Sequence, residues 1–402
     1  MLCPAAETRS EREKVLIRVH PISNSWYAAQ IYAGLFDLAA AGEIKLEFTD
    51  EPLARICERD WGWANNDHLV YLELHRSGSK PIKVCYDMLD GPEIISLNGL
   101  EHCDVYFKRS YDLDFLVRET DEWHRTGKDW VNKVLPFGLN CPACSVNEYG
   151  KLKRALIFEK ETGAFRTSFK PMVKGWFANP VGTLRGIATR VLLGNPWGLT
   201  PMREVTPDVP AEDKVLIQTR LFDPTMGKHF AAEYEELNQY RIRVVRLLKN
   251  ELGSRFVGGF LSDPISQKAC PDLLTQHRVN RRSYFELVKR CKVAVFTRGL
   301  RQSTGWRFPE FFAASRCIVS EPLAYGLPEP LVEGKHVVTF SSPEAALESC
   351  LRMLEEPDLA RTMREETFAY YERNVRPNAL VRNTLNSAIG LVDLQSSSAA
   401  QR

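Results

Sequence analysis

The sequence predicts an α/β protein made of two Rossmann-like, doubly wound domains that face each other across a cleft. The chain of 402 residues is longer than one hydrophobic core usually fills, which favours two domains. In both halves, short apolar runs typical of strands alternate with helical segments. A proline-rich connector interrupts this alternation once. We therefore expect domains at residues 1–205 and 206–375, followed at 376–402 by a helix that returns toward the N-terminal domain and ends in a disordered tail.

The N-terminal half begins with an apolar strand at residues 14–20, which leads through a loop into a helix at 26–41 and a second strand at 45–49. The β-α-β order of these segments implies a parallel sheet. Four further strands are expected, at residues 68–74, 81–86, 104–107 and 133–136.

The same alternation returns in the C-terminal half with a strand at residues 215–220 and a long helix at 230–252. Proline and glycine breaks separate the segments that follow. The expected strands lie at 255–258, 293–297, 317–320 and 336–340, and the expected helices at 283–290, 309–315, 343–355 and 376–394. The serine-rich residues from Gln395 onward are expected to be disordered.

The composition is that of an ordinary soluble protein, with 44% apolar residues, 26% charged residues and a net charge of +2. This charge gives no reason to expect nucleic acid as a partner. We expect a cytoplasmic protein, because the N-terminus lacks a secretion signal and no apolar run approaches the roughly 18 residues of a membrane span. The ten cysteines are scattered, and the single Cys141–Cys144 pair favours structural thiols over zinc ligands.

Residues 301–314 combine a strand exit, a glycine turn, a helix start and a carboxylate. Ser303, Thr304 and Gly305 allow backbone amides to approach a ligand, and the proline that follows suits a first helical turn whose free amides would face a diphosphate. Glu310 enters the same turn and could accept hydrogen bonds from ribose hydroxyls. The alternative interpretation is an ordinary strand–loop–helix junction with an acid at the helix start.

Three motifs carry a family resemblance. Arg220 ends a strand and is followed by Lys228, and Gly305 and Glu310 match the glycine and second glutamate of a Glu-x-Phe-Gly-x-x-x-x-Glu box. A Pro-Glu-x-Val-x-x-Gly-like segment comes later. With these motifs, residues 215–394 resemble the C-terminal domain of GT-B glycosyltransferases of the group-1 type and of the related spore-maturation-protein type.

One position departs from that pattern. Gln302 stands where retaining members have their first glutamate, and it offers a hydrogen bond without a negative charge. The stereochemical outcome, retaining or inverting, therefore stays open.

The resemblance implies a GT-B enzyme that transfers a sugar from a nucleotide donor, UDP- or GDP-linked, to a hydroxyl acceptor such as a glycan or a lipid-linked glycan. Enzymes of this fold usually stabilise the departing diphosphate with cations and helix amides, so no metal or other cofactor is expected. A sugar-nucleotide epimerase or hydrolase and a non-catalytic sugar-nucleotide-binding or membrane-adaptor protein are the alternatives. The implied donor-binding residues are Arg220, Lys228, Gln302, Ser303, Thr304, Gly305, Arg307 and Glu310.

An inverting reaction needs a base from the N-terminal domain. His20 ends the first strand, and imidazole suits proton transfer near neutral pH. Asp87 and Asp90 follow another strand and are competing candidates. A structural histidine and a turn or helix cap are the alternative interpretations.

Residues 151–210 carry ten Lys or Arg and four Asp or Glu, a difference of +6. Within this basic and aromatic stretch, Val181, Leu184, Ala188 and Val191 share one helical face. Such a basic amphipathic segment at 151–200 could lie on the inner face of a membrane near a lipid-linked acceptor, or it could be an inter-domain helix packed on the core.

Overall fold

The computed structural model describes residues 14–20, 27–49, 68–123, 130–147, 200–225, 230–277 and 280–400. The basic amphipathic segment predicted at 151–200 therefore lies outside the described residues except for Thr200. Across the described ranges, none of the helices is both long and apolar enough to span a bilayer.

The N-terminal half forms a six-stranded sheet in the order β2-β1-β3-β4-β5-β6. The two central strands, β3 and β4, are nearly continuous runs of buried residues, as interior strands usually are. The strands are β1 (Leu16–His20), β2 (Lys45–Phe48), β3 (Leu69–His75), β4 (Ile82–Asp87), β5 (Val105–Lys108) and β6 (Val134–Pro136), and the helices are α1 (Ala29–Ala40), α2 (Leu97–His102) and α3 (Leu113–Trp123).

The expectation of a parallel N-terminal sheet is wrong at one strand. β3 pairs antiparallel with both β1 and β4, whereas the other pairs are parallel. The reason is the connection from β3 to β4, a short turn at residues 76–81 in which Gly78 has φ +70°. A parallel connection needs a crossover of about a dozen residues or more, so this turn can only form a hairpin.

The C-terminal half forms a five-stranded, wholly parallel sheet in the order β11-β10-β9-β7-β8. The expected α/β fold class, with two α/β units, is confirmed. The strands are β7 (Glu212–Thr219), β8 (Phe256–Phe260), β9 (Cys291–Phe296), β10 (Cys317–Ser320) and β11 (Val338–Thr339), and the helices are α4 (Ala231–Leu252), α5 (Pro264–Ala269), α6 (Arg281–Arg290), α7 (Arg307–Ala313), α8 (Pro343–Glu355) and α9 (Pro357–Tyr370).

Helices cover both faces of this second sheet. Tyr284 of α6 and Phe308 of α7 join the apolar core on one face, and Val244 of α4 and Met353 of α8 join the core on the other. β8 lies on one side of β7 and β9 on the other, so the strand order reverses at β7. Ligands of open α/β sheets bind outside the carboxyl ends of the strands at such a reversal, which makes the ends of β7 and β9 the first place to look for a site.

The last helix, α10 (Pro377–Ala400), packs on the N-terminal half along α1. Leu380 and Val381 are buried in the N-terminal core. The contact is close at Gly34, where an added Cβ would lie 2.2 Å from the Pro377 carbonyl oxygen. The tail that we expected to be disordered from Gln395 continues this helix to Ala400, and the hydroxyls of three serines donate to carbonyls one turn earlier, from Ser396, Ser397 and Ser398.

Candidate functional site

Two loops leave the sheet at the carboxyl ends of β7 and β9, and we call the region between these loops and the N-terminal half the crevice. Arg241 of α4 holds these loops together from below. Its guanidinium, which is 4% exposed, donates to the carbonyl of Arg220 after β7 at 2.8 Å and to the carbonyl of Arg298 after β9 at 2.5 Å. Burial lowers the pKa of Arg241 to about 10, so it stays protonated at neutral pH. The crevice is therefore built on a buried, fixed positive charge.

The loop after β9 has an unusual backbone. Arg301 and Gln302 both have positive φ angles, 53° and 57°, which cost about 1 kcal/mol or more each in residues other than glycine. Local contacts hold this shape: the Arg301 amide donates to Glu233 Oε1 at 2.6 Å, and the Gly299 amide donates to the Ser303 carbonyl at 2.9 Å. The loop places Gln302 at the surface and Ser303 inside.

Two arginines on these loops carry the positive charge of the crevice. Arg220 is exposed directly after β7, with its guanidinium 5.3 Å from the ring centre of Phe222. Arg307 begins α7 and lies 5.1 Å from the ring centre of Tyr284. Within the described ranges, neither guanidinium hydrogen-bonds to another residue. Burial, with Arg281 and Arg220 nearby, lowers the pKa of Arg307. Two nearby cations that form no ion pair with a described residue are suited to bind an anion.

Glu310 lies deeper, on the next turn of α7, and is 1% exposed. Its Oε1 accepts a hydrogen bond from Arg281 at 2.5 Å and lies 3.8 Å from Nη1 of Arg203. The carboxylate that the sequence assigns to a ribose is thus engaged by two arginines in this structure. A ribose could reach it only if Arg281, whose side chain is 36% exposed, moved aside.

The N-terminal half closes the other side of the crevice. Arg109, after β5, donates to the Thr304 carbonyl at 2.6 Å and to Asp90 Oδ1 at 2.7 Å. Trp306 meets the ring of Tyr27 edge-on, with centroids 4.8 Å apart. Burial and the charge of Asp90 raise the pKa of Tyr27, while Arg109 and Arg220 oppose this shift. The Tyr27 phenol therefore lies near both the Asp90 carboxylate and Arg220.

Residues 243–385 match a family model described as glycosyl transferase-like. This part of the C-terminal half is similar to glycosyl transferase-like proteins. The match confirms the resemblance and, at that level, the prediction of a glycosyltransferase enzyme. It includes α7 and the loop before it, and therefore Arg307 and Glu310. No curated protein matches the chain.

Solved structures give weaker similarities. A glycosyltransferase from Rickettsia africae ESF-5 has 12% identity and a TM-score of 0.39, covering 77% of this chain and 70% of its own. A UDP-GlcNAc 2-epimerase from Neisseria meningitidis has 13% identity and a TM-score of 0.33, and the match covers 95% of this chain and 76% of the epimerase. An α,α-trehalose-phosphate synthase (UDP-forming) from Burkholderia vietnamiensis has 14% identity and a TM-score of 0.35, and the match covers 72% of this chain and 60% of the synthase. All three TM-scores are below 0.5.

Among the acids predicted as the base of the glycosyltransferase, Asp87 has the geometry of a structural ion pair. It is fully buried, and its carboxylate accepts from Lys108 Nζ at 3.1 Å, from the Tyr106 hydroxyl at 2.5 Å and from the Leu89 amide at 2.8 Å. Burial lowers the pKa of Lys108, and Asp87 opposes that shift. With its oxygens occupied inside the core, Asp87 has no support as a base in this structure.

Asp90 and His20 occupy different surroundings. The Asp90 side chain is 44% exposed on the crevice side and keeps one oxygen beyond its contact with Arg109. His20 is 5% exposed at the end of β1, with Nε2 at 3.8 Å from Glu73 Oε1. The structure brings Asp90 to the arginine crevice, whereas this contact of His20 is with a residue of β3.

The remaining predicted groups do not add to the crevice. Lys228 lies outside the described residues. Cys141 and Cys144 are free thiols, and burial raises the pKa of Cys141 to about 11. Among the residues that the structure covers, no group of three or more His, Cys, Asp or Glu side chains could hold a metal ion.

The sequence-based prediction missed Arg109, Arg241 and Arg281. Arg241 carries no local signal beyond its place on a long helix. Arg109 contacts Thr304 across 195 positions of sequence, so no local pattern could reveal that contact.

Proposed function

We propose that the protein transfers a sugar from a nucleoside-diphosphate donor to a hydroxyl acceptor in the crevice between its two halves. The observation that carries this proposal is the pair Arg220 and Arg307, two cations without hydrogen-bond partners in the described structure, at the strand-order reversal of a glycosyl transferase-like domain. Such a pair suits a diphosphate better than a neutral ligand, because an anion satisfies both charges at once.

In the transfer step, the bond between the sugar C1 and the distal phosphate oxygen breaks, and negative charge develops on the diphosphate. Arg220 and Arg307 stabilise that charge from fixed positions, which is where preorganised cations contribute most to catalysis. The buried Arg241 fixes the two loops, so the cations need not rearrange during the reaction. We propose that these cations serve in place of a metal ion, with a UDP- or GDP-linked sugar as donor.

The acceptor hydroxyl must lose a proton as it attacks C1. We propose Asp90 as the group that takes it in an inverting reaction, since it stands across the crevice from Arg220 and is partly exposed. Arg109 orients its carboxylate and ties it to the Thr304 carbonyl. Gln302 lies at the surface of the facing loop and could hydrogen-bond to the donor sugar.

Calorimetric titration with UDP-, GDP- and CMP-linked sugars tests the donor site. The variant is Arg220→Gln, and Arg243→Gln is the matched control, because Arg243 is an exposed arginine that also stacks on an aromatic ring, 5.8 Å from the centre of Tyr240. Loss of a charged hydrogen bond should weaken the preferred donor about 10- to 100-fold in Arg220→Gln only. The proposal fails if the wild type binds none of these sugars, or if both variants bind as the wild type does. Retention of turnover in EDTA tests the metal-independent mechanism.

For the acceptor, we propose a glycan or lipid-linked glycan, with the basic stretch at 151–200 attracting the enzyme to an anionic membrane surface. Its excess of basic residues supports this proposal. Co-sedimentation with phosphatidylserine vesicles should occur at low salt and disappear at high salt, whereas neutral vesicles should not sediment the protein. Equal behaviour with both vesicles would refute membrane attraction.

A further inference from the structure

The hydroxyl of Tyr284 is a polar group in the apolar core of the C-terminal half. Tyr284 is 5% exposed on α6, and its Oη finds no hydrogen-bond partner in the part of the chain that the structure describes. Buried tyrosine hydroxyls usually have one, because an unsatisfied buried group is unfavourable. Such a group in a folded protein needs an explanation, and a ligand is one of the few available.

The surroundings of this hydroxyl supply a second unsatisfied donor. The guanidinium of Arg307 lies over the Tyr284 ring at 5.1 Å, and it also lacks a hydrogen-bond partner among the described residues. A third donor, Nε2 of Gln218, is buried and unpaired near the carboxyl end of β7. Gln218 shares its face of the sheet with Leu216, which belongs to the same apolar core as Tyr284.

The hydrogen-bonding chemistry of these groups indicates which kind of ligand they could bind. A guanidinium and a side-chain amide nitrogen only donate hydrogen bonds, and burial raises the pKa of the Tyr284 phenol, which keeps its proton and can donate as well. The carboxylate nearby, Glu310, is already engaged by Arg281 and Arg203. This donor-rich set, which includes a guanidinium charge, fits an anionic oxygen, because one such oxygen can accept from the guanidinium and the phenol at once. A cation would be repelled by Arg307, and a neutral hydroxyl would leave its charge without a counter-ion.

We propose that the Tyr284 hydroxyl and the Arg307 guanidinium together bind a phosphate oxygen of the nucleoside-diphosphate donor. This inference rests on the proposed function and adds to it a specificity-determining residue from α6. Stacking on the ring keeps the guanidinium of Arg307 beside the residue that carries the hydroxyl, so the two donors are near each other before the ligand arrives. The pair thereby favours nucleoside diphosphates over nucleosides, because only the former place an oxyanion there.

The test is Tyr284→Phe, which removes one oxygen and keeps the ring under Arg307. Tyr240→Phe is the matched control, since Tyr240 forms a similar stack with Arg243 on α4, beside a separate cavity of about 480 Å³. Two quantities are measured for each protein: the calorimetric affinities for UDP, GDP, uridine and guanosine, and the thermal unfolding midpoint without ligand. Arg307→Lys, which keeps the charge but loses the planar stack, is a second variant.

We expect Tyr284→Phe to weaken binding of the preferred diphosphate about tenfold or more and to change nucleoside binding less than about twofold. Its unfolding midpoint should stay level or rise, because the lost hydroxyl was unsatisfied in the ligand-free fold. Arg307→Lys should also bind the diphosphate more weakly, and Tyr240→Phe should bind all four compounds as the wild type does.

Three results would overturn the inference: unchanged diphosphate affinity in Tyr284→Phe, an equal loss for nucleosides, or a lower unfolding midpoint, which would show that the hydroxyl is bonded within the fold. If Arg220→Gln no longer binds the diphosphate while Tyr284→Phe binds it as the wild type does, the proposed donor site is supported and only the role of Tyr284 is refuted. If the wild type binds no nucleoside diphosphate, the proposed function fails and this inference falls with it.

Discussion

Replacing Glu310 by alanine should destabilise the C-terminal half strongly, whatever it does to ligand binding. The carboxylate is fully buried between Arg281 and Arg203, and the Arg203 side chain is only 3% exposed. Within the described residues, Glu310 is the only carboxylate within ion-pair distance of Arg203. Removing one partner of a buried ion pair typically costs about 3–5 kcal/mol, because the other charge is left in the core.

That free-energy loss sets the size of the measurable effect. For a cooperative unit of 150–250 residues, each kcal/mol lowers the unfolding midpoint by about 2–4 °C, so Glu310→Ala should lower it by roughly 10 °C. Differential scanning calorimetry of the ligand-free protein gives this number. The matched control is Glu344→Ala, an exposed acid in the first turn of α8.

A double variant separates the two arginines. Arg281 is partly exposed, so solvent screens its charge, and Glu310→Ala combined with Arg281→Ala should recover little of the lost stability. Glu310→Ala combined with Arg203→Met should recover more, because it removes the buried charge that was left unpaired. A midpoint for Glu310→Ala within about 2 °C of the wild type would refute the ion-pair account and favour a carboxylate kept available for a ligand.

Three further predictions follow from the contacts. Gly34→Ala should lower the free energy of unfolding by about 1–3 kcal/mol or more in urea denaturation, because its Cβ would overlap the Pro377 carbonyl, and Gly390→Ala, with open space around it, should not. Asp87→Asn should lower the unfolding midpoint, since Lys108 would keep its charge in the core, whereas Asp90→Asn should slow sugar transfer at a nearly unchanged midpoint. Burial lowers the pKa of His336, whose Nδ1 accepts from the Val332 amide, so the unfolded state binds more protons. Its contribution to stability is complete above the unfolded value near 6.5 and is lost as pH falls through the lowered folded value. The drop in midpoint from pH 7.5 to 5.5 should shrink in His336→Asn, and equal drops would contradict this.

Much of the fold could be predicted because its signals are local. The strand at 317–320 and the helix at 343–355 were placed at their exact bounds, since each has a β-branched apolar run or a Ser-Pro start. The direction of β3 was missed, because the length of a turn decides it and the apolar pattern is the same either way. The helix α9 was missed as well, although a proline stands at its first position.

The candidate site could be predicted from the sequence less completely than the fold. Asp87 and Asp90 stand three positions apart in one turn, and nothing local distinguishes them. Their difference comes from the next strand, where Lys108 and Tyr106 engage Asp87 while Arg109 turns outward to Asp90. The sequence also pointed to Arg220 and Arg307, and the structure brings both to one crevice. Tyr284 could not be found in this way, because what singles it out is a hydroxyl without a hydrogen-bond partner among the described residues.

The most direct test of the account is release of nucleoside diphosphate from UDP- and GDP-linked sugars, followed by mass spectrometry with and without glycan and glycolipid acceptors. The account predicts release with one donor class that depends on an acceptor, yields a glycosylated product, and is lost in the double variant Arg220→Gln and Arg307→Gln. Release that is equal without acceptor would indicate hydrolysis, and release that persists in the double variant would contradict the assignment of the crevice as the donor site.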